Sequence, residues 1–142
     1  MESNDTNETA ARLRRSVTRL SRRLRQSALG GISPAQASML SSIENLVRPS
    51  LGDLATREQI QPPSVTRLVR TLEEAGLIHS VPDEVDRRST RVVLSAAGKK
   101  ELSTIRRRKT EFLETRLRAL PVAEQARAVQ LADLLEHLLE IQ

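Results

Sequence analysis

The sequence predicts a mainly helical chain carrying one small β-hairpin, an α+β class in which helices dominate. Three observations carry that reading. Apolar residues recur at steps of three and four through most of the 142 residues. Only between Leu77 and Leu94 does this give way to alternation, the period of a strand. Capping and breaking residues punctuate the chain between these runs: Ser33-Pro34, Ser50, Pro62, Gly76, Ser95 and Pro121.

Met1 to Asn7 is polar and is expected to fray. From Thr9 onward, Leu13, Val17, Leu20 and Leu24 mark one face of a helix that runs to about Ala28 and stops at Gly30 and Gly31. Ser33 can cap a second helix, with Pro34 in its first position and Gln36 completing a capping box. Met39, Leu40, Ile43, Leu46 and Val47 form its apolar stripe, and Pro49 closes it. Ser50 with Asp53 repeats the capping logic for a short helix to about Glu58, with Leu51, Leu54 and Ala55 inward. Ile60 falls in the turn that follows. Pro62 opens the next helix, Gln61 to Ala75, which buries Val65, Leu68, Val69 and Leu72 and ends at Gly76. Two helices joined by so short a turn form a helix-turn-helix signature.

Strands are expected over Leu77 to Val81 and Thr90 to Leu94, joined by a charged tip that includes Asp86, Arg87, Arg88 and Ser89. Ser95 caps a long helix with the stripe Leu102, Ile105, Phe112, Leu113, Leu117 and Leu120. Pro121 breaks it and is expected in the first position of the last helix. That helix carries leucines on more than one face, too many for a lone surface helix. Spare apolar surface on the terminal helices points to a dimer interface built from both ends of the chain.

Composition narrows the function classes. Charged residues make up 29 % of the chain and the net charge is +5, a balance that suits a polyanionic partner. The absence of cysteine excludes disulfides, thiolate metal sites and thiol redox sensing. Phe112 is the only residue among Phe, Trp and Tyr, so single-stranded nucleic acid has no aromatic platform to stack on. No apolar run is long enough to span a membrane and no signal-peptide core is visible, so the chain is expected in the cytoplasm. His79 and His137 stand far apart with no acidic partners to complete a metal site. No nucleophile elbow, glycine-rich phosphate loop or opposed pair of titratable groups is present. The reading is therefore of a non-enzyme that needs neither metal nor cofactor.

The segment Gln61 to Leu94 is the most specific. A helix with polar residues at its start, beside a basic hairpin, can engage adjacent grooves of double-stranded DNA. Pro62, Pro63, Ser64, Thr66 and Arg67 occupy the first turns of that helix, where base edges are met. Ser and Thr serve bases or phosphates, and Arg67 can pair with guanine. The bland alternative is an ordinary first turn, where proline is common for backbone reasons. At the tip, a narrow minor groove attracts an inserted arginine, and Asp86 can orient one through a carboxylate–guanidinium pair. The bland alternative there is a solvated charged turn. Arg12, Arg14, Arg15, Arg19, Arg22, Arg23 and Arg25 crowd the first helix with no acid between them. They read first as a solvated face, or as partners of Glu101, Glu111, Glu114 or Glu140, and second as contacts to phosphate or an anionic ligand. The run Arg106 to Lys109 reads the same way. Met39, Leu40, Ile43 and Phe112 are expected in the core rather than in a ligand pocket.

These residues resemble the MarR family of winged helix-turn-helix transcriptional regulators over most of the chain, from about Thr9 to the C-terminus. The resemblance is most specific in Ser64 to Val69, Leu72-Glu73 and Ala75 to Ile78. It is equally specific in Pro82-Asp83, Asp86 to Ser89, Val92, Leu94-Ser95 and Ala97-Gly98. It departs at Gln61, where a serine-like cap is usual. The resemblance implies a homodimer with residues 1–32 and 95–142 forming the dimerisation region and residues 33–94 the DNA-binding domain. It implies a pseudo-palindromic operator, usually repressed, and a small, often phenolic or anionic, effector that releases the DNA. DNA contacts would come from Pro62, Pro63, Ser64, Thr66, Arg67 and Arg70 on the helix. On the wing they would come from Asp86, Arg87, Arg88 and Ser89, with Asp86 and Arg88 the matching pair and Arg87 reaching a phosphate. Arg and Ser residues of the first two helices could hold an anionic effector. The alternative is a protein-interaction module that kept the fold and lost DNA binding. Arg87, Arg88 and Arg91, as positive charge on the wing, argue against it.

Overall fold

A computed structural model describes residues 3–142; Met1 and Glu2, part of the segment expected to fray, lie outside the described residues. The elements in order are α1 (Ser3–Ala28), α2 (Pro34–Leu46), α3 (Leu51–Glu58), α4 (Pro62–Glu74), β1 (Ile78–Pro82), β2 (Thr90–Leu94), α5 (Ala96–Arg118) and α6 (Val122–Glu140). The mainly helical class with one antiparallel hairpin is thus observed.

Boundaries follow the side-chain chemistry at most ends. Ser33 and Ser50 each close a reciprocal capping box, with Gln36 and Asp53 respectively. Gly76 adopts φ +75, the left-handed value that ends α4 without a Cβ clash. Two helix starts differ from expectation. α1 begins at Ser3, so Asn4 to Asn7 are helical rather than frayed; Asp5 lies in the first turn, where the helix dipole favours a carboxylate. Pro121 precedes α6 as its N-cap, with ψ 148, and Val122 is the first helical residue.

Buried apolar residues from every element of the central region meet in one core. Met39, Leu40 and Ile43 of α2, Leu54 of α3, and Val65, Val69 and Leu72 of α4 close on Ile78, Val92 and Leu102. β1 and β2 pair from Ile78 with Leu94 to Pro82 with Thr90, which puts Ile78 and Val92 on the core side. Pro82 stands at the end of an edge strand, the position where a missing N–H is tolerated. Ser95 joins three elements: its hydroxyl donates to the Gly76 carbonyl at 2.6 Å and accepts from the Gly98 amide at 3.0 Å.

The terminal helices are built differently. α1 runs antiparallel to α5, with the Arg108 guanidinium on the Ala28 carbonyl at 3.2 Å and Arg23 beside Phe112. Phe112 is half-buried rather than a core residue, with Arg116 stacked 3.4 Å from its ring centroid. α6 contributes no buried residue, and Val129, Leu131, Leu134 and Leu138 stand open to solvent. No helix among the described residues is long and apolar enough to cross a membrane.

Candidate nucleic-acid interface

α4 lies across the core with one face buried and the other free. Pro63, Thr66, Arg67 and Arg70 share the outer face and line a shallow hollow on it. The spacing of three, one and three explains the alignment, since positions three and four apart neighbour each other on a helix. Ser64 is half-buried beside them and Pro62 is exposed. The side chain of Gln61 makes no capping bond, yet the helix starts where the sequence indicates. The reason is the pair Pro62-Pro63. Neither has an N–H, so the usual orphan donors of a first turn are absent. The next two amides, Ser64 and Val65, both donate to the Gln61 carbonyl. This end of α4 therefore has no free backbone donor for an anion, and contacts there fall to side chains.

The hairpin tip is held by Asp86. Its carboxylate accepts from the Arg88 amide at 3.1 Å, from the Arg88 Nε at 3.4 Å and from the Ser89 hydroxyl at 3.4 Å. The pairing expected between Asp86 and Arg88 is present, and Arg88 remains 94 % exposed as a side chain. Arg87 is exposed and borders a hollow with Pro82, Asp83 and Glu84. So the tip presents two arginines, one steered by a carboxylate and one not.

Arg91 behaves otherwise than the positive wing charge expected of it. It is half-buried at the base of the hairpin and bonded on three of its nitrogens. Its Nε and NH2 reach the Asp83 carboxylate at 3.3 and 3.1 Å, and NH1 reaches Asp53 at 3.3 Å. Beside it the Val92 amide donates to the Pro49 carbonyl at 3.0 Å, and Ser50 and Arg91 form an isolated antiparallel bridge. Arg48 and Glu84 form a second, exposed link at 3.4 Å. Asp83 is held below its ordinary value by the Val85 amide and then by Arg91. Asp53 is lowered first by the Ser50 amide and hydroxyl, with Arg91 adding to the effect. The stability these two carboxylates lend is complete above their ordinary 3.8 and is lost as the pH falls through their lower folded values.

Away from this surface, a cavity of about 260 Å³ opens between α1, α2 and α5. Arg25, Arg106 and Lys109 bring positive charge to it, Ser38 and Ser41 bring hydroxyls, and Leu102 and Ile105 form apolar wall. Arg106, expected on a solvated face or paired with Glu101, Glu111, Glu114 or Glu140, pairs instead with Glu44 of α2; the bond raises Arg106 and lowers Glu44 from their ordinary values. Ser38 and Ser42 both donate to Glu58 of α3, a contact that sequence spacing could not reveal. Among the described residues, no arginine of α1 forms an ion pair, and Arg107 and Arg118 pair along α5 with Glu111 and Glu114. Met39, Leu40 and Ile43 are core residues, as expected. No cluster of three metal-binding side chains occurs among the described residues.

Comparison with known proteins agrees with this geometry. The family model described as MarR family matches residues 32–90. An uncharacterised HTH-type transcriptional regulator of Mycobacterium bovis is 34 % identical over 127 residues, 89 % of each chain. The crystal structure of a candidate transcriptional regulator from Pseudomonas aeruginosa superposes with a TM-score of 0.86 at 32 % identity, covering 99 % of this chain and 100 % of that one. A Staphylococcus aureus MepR mutant bound to an oligodeoxyribonucleotide shares the fold, with a TM-score of 0.72 at 22 % identity over 92 % of this chain and 97 % of that one. With a third of its residues shared with such relatives along nearly its whole length, the chain belongs to the MarR family of winged helix-turn-helix transcriptional regulators.

Proposed function

We propose that the chain acts as a homodimer that binds a pseudo-palindromic operator and represses transcription from it. Residues 33–94 read the DNA, and residues 1–32 and 95–142 hold the two protomers together. The observation that carries the reading is the pairing of two free surfaces on one rigid core. The outer face of α4 bears Thr66, Arg67 and Arg70, and the hairpin tip bears the Asp86-steered Arg88. A helix face of this kind enters the major groove with its first turns toward base edges, Pro62 and Pro63 packing closely and Ser64, Thr66 and Arg67 making the polar contacts. Arg88 then enters the adjoining minor groove, while Arg87 and Ser89 contact phosphate.

Incubation with fragmented genomic DNA at two salt concentrations tests the reading. The expected result is saturable, sequence-selective capture that weakens as salt rises, because phosphate contacts release counterions. Sequence-blind capture at both concentrations would count against it. Arg88→Ala is expected to weaken binding to the captured sequence about tenfold and to leave the oligomeric state unchanged. Equal affinity of variant and wild type at one fixed salt concentration would remove Arg88 from the interface.

The cavity between α1, α2 and α5 supports an effector site for a small anion with an apolar body. Its cations and hydroxyls would meet the charge, and Leu102 and Ile105 the body. The site touches both the terminal helices and the DNA-reading core, so occupancy there can alter the spacing of the two reading heads.

A further inference from the structure

We infer that Arg91 is the positioning residue of the wing: it sets the angle between hairpin and helix-turn-helix and does not itself contact DNA. The inference rests on the DNA-reading role proposed for α4 and the hairpin tip. A hairpin standing on one edge of a small domain is free to rock about its base unless something fixes it. Backbone bonds such as Val92 to Pro49, and the bond from the Ser80 amide to Glu73, hold the base of the hairpin, while Arg91 is the side chain that ties the foot of its tip to α3. Arg91 leaves β2, spans to Asp83 at the foot of the tip and reaches Asp53 in the first turn of α3. Asp53 is itself pinned, since its carboxylate accepts the Ser50 amide at 2.9 Å and its own amide donates to the Ser50 hydroxyl at 3.0 Å. Asp83 is pinned in turn, its amide donating to the Ser89 carbonyl across the hairpin at 3.0 Å and its carboxylate accepting the Val85 amide at 3.2 Å. One planar guanidinium thus joins the cap of the first helix of the reading unit to the frame of the wing tip. Arg91 has its nitrogens committed inward, unlike Arg87 and Arg88, which face solvent. Lysine could not replace it, because a single ammonium lacks the fork that spans two carboxylates.

The inference makes a prediction of unusual sign. Asp83→Asn removes a negative charge near the DNA-facing tip, so electrostatics alone would tighten binding. Loss of the clamp would loosen it. The test uses the full-length protein and a duplex that the wild type selects from a random-sequence pool, with affinity and hydroxyl-radical footprints as readouts. Asp83→Asn, Arg91→Ala and Arg91→Lys are each expected to weaken binding roughly tenfold, the loss expected for Arg88→Ala. Flanking minor-groove protection should vanish while central protection persists. In the Arg88→Ala background, Arg91→Ala should add little, because both changes disable the same wing. Circular dichroism and sedimentation of Asp83→Asn, whose substitution leaves the α3 cap intact, check that fold and oligomeric state persist. Tighter binding by Asp83→Asn, full affinity of Arg91→Lys, or additive losses in the double variant would each overturn the inference alone. A wild-type footprint without flanking protection would instead overturn the proposed wing contact, and the inference with it.

Discussion

Gly98→Ala is expected to destabilise the fold by about 3 kcal/mol, with the urea midpoint falling and the slope unchanged. A Cβ on Gly98 would stand 2.0 Å from the Leu77 carbonyl oxygen and 3.1 Å from its carbon. Both are backbone atoms, so no side-chain rotation relieves the clash. Relief requires the first turn of α5 to move away from the start of β1. That movement would strain the bonds from the Ser95 amide to Leu77 and from the Ser95 hydroxyl to Gly76. The joint between wing, α4 and α5 would therefore loosen as a unit. Gly52→Ala is the matched control, since a Cβ there meets only the Ser50 hydroxyl, at 3.7 Å. A helical alanine in its place should be neutral or stabilising. Equal midpoints for the two variants would refute the close approach of α5 to Leu77.

Leu134→Glu is expected to convert the proposed dimer to monomer and, in consequence, to lose the proposed operator binding by a hundredfold or more, on the order of 3 kcal/mol or above. Leu134 is 51 % exposed in the single chain, within a helix that buries nothing of its own. Leu131 and Leu138, three and four positions away, flank it on one helix face with similar exposure. The proposed two-fold interface would cover this apolar surface and place each substitution in it twice. The core that organises α2 to β2 contains no residue of α6, so circular dichroism should stay helical. Sedimentation then separates loss of dimer from loss of fold. A Leu134→Glu protein that still sediments as a dimer would exclude this part of α6 from the interface.

Local signals made most of the fold legible from sequence. Ser33, Ser50, Gly76 and Ser95 mark element ends because each acts on backbone groups within a few residues, and the structure uses all four in that way. The alternation over Leu77 to Leu94 located both strands to within a residue, with β1 beginning at Ile78. α1 was harder to read because polar first-turn residues look alike in a helix and in a frayed end. Gln61 lacks a capping bond, as its departure from the family pattern indicated, without moving the helix start: a missing cap matters only when there are donors to cap, and Pro62 and Pro63 supply none. The site divides along the same line. The juxtaposition of Asp86 and Arg88 is local and could be read. Arg91 with Asp53, Arg106 with Glu44 and Ser42 with Glu58 join residues 38, 62 and 16 positions apart, and only tertiary closure selects those partners. Charge alone placed Arg91 among the free cations of the wing, and packing placed it inside.

Two copies of one reading head, held by the terminal helices as proposed, should leave a symmetric imprint on DNA. Hydroxyl-radical footprinting on the wild-type-selected duplex, with stoichiometry measured by sedimentation of the complex, tests this most directly. The expected result is two protomers per duplex on a two-fold symmetric sequence, with half-site centres about 10 base pairs apart or a multiple of that and minor-groove protection flanking each. One protomer on an asymmetric half-site, or uniform protection without sequence preference, would contradict it.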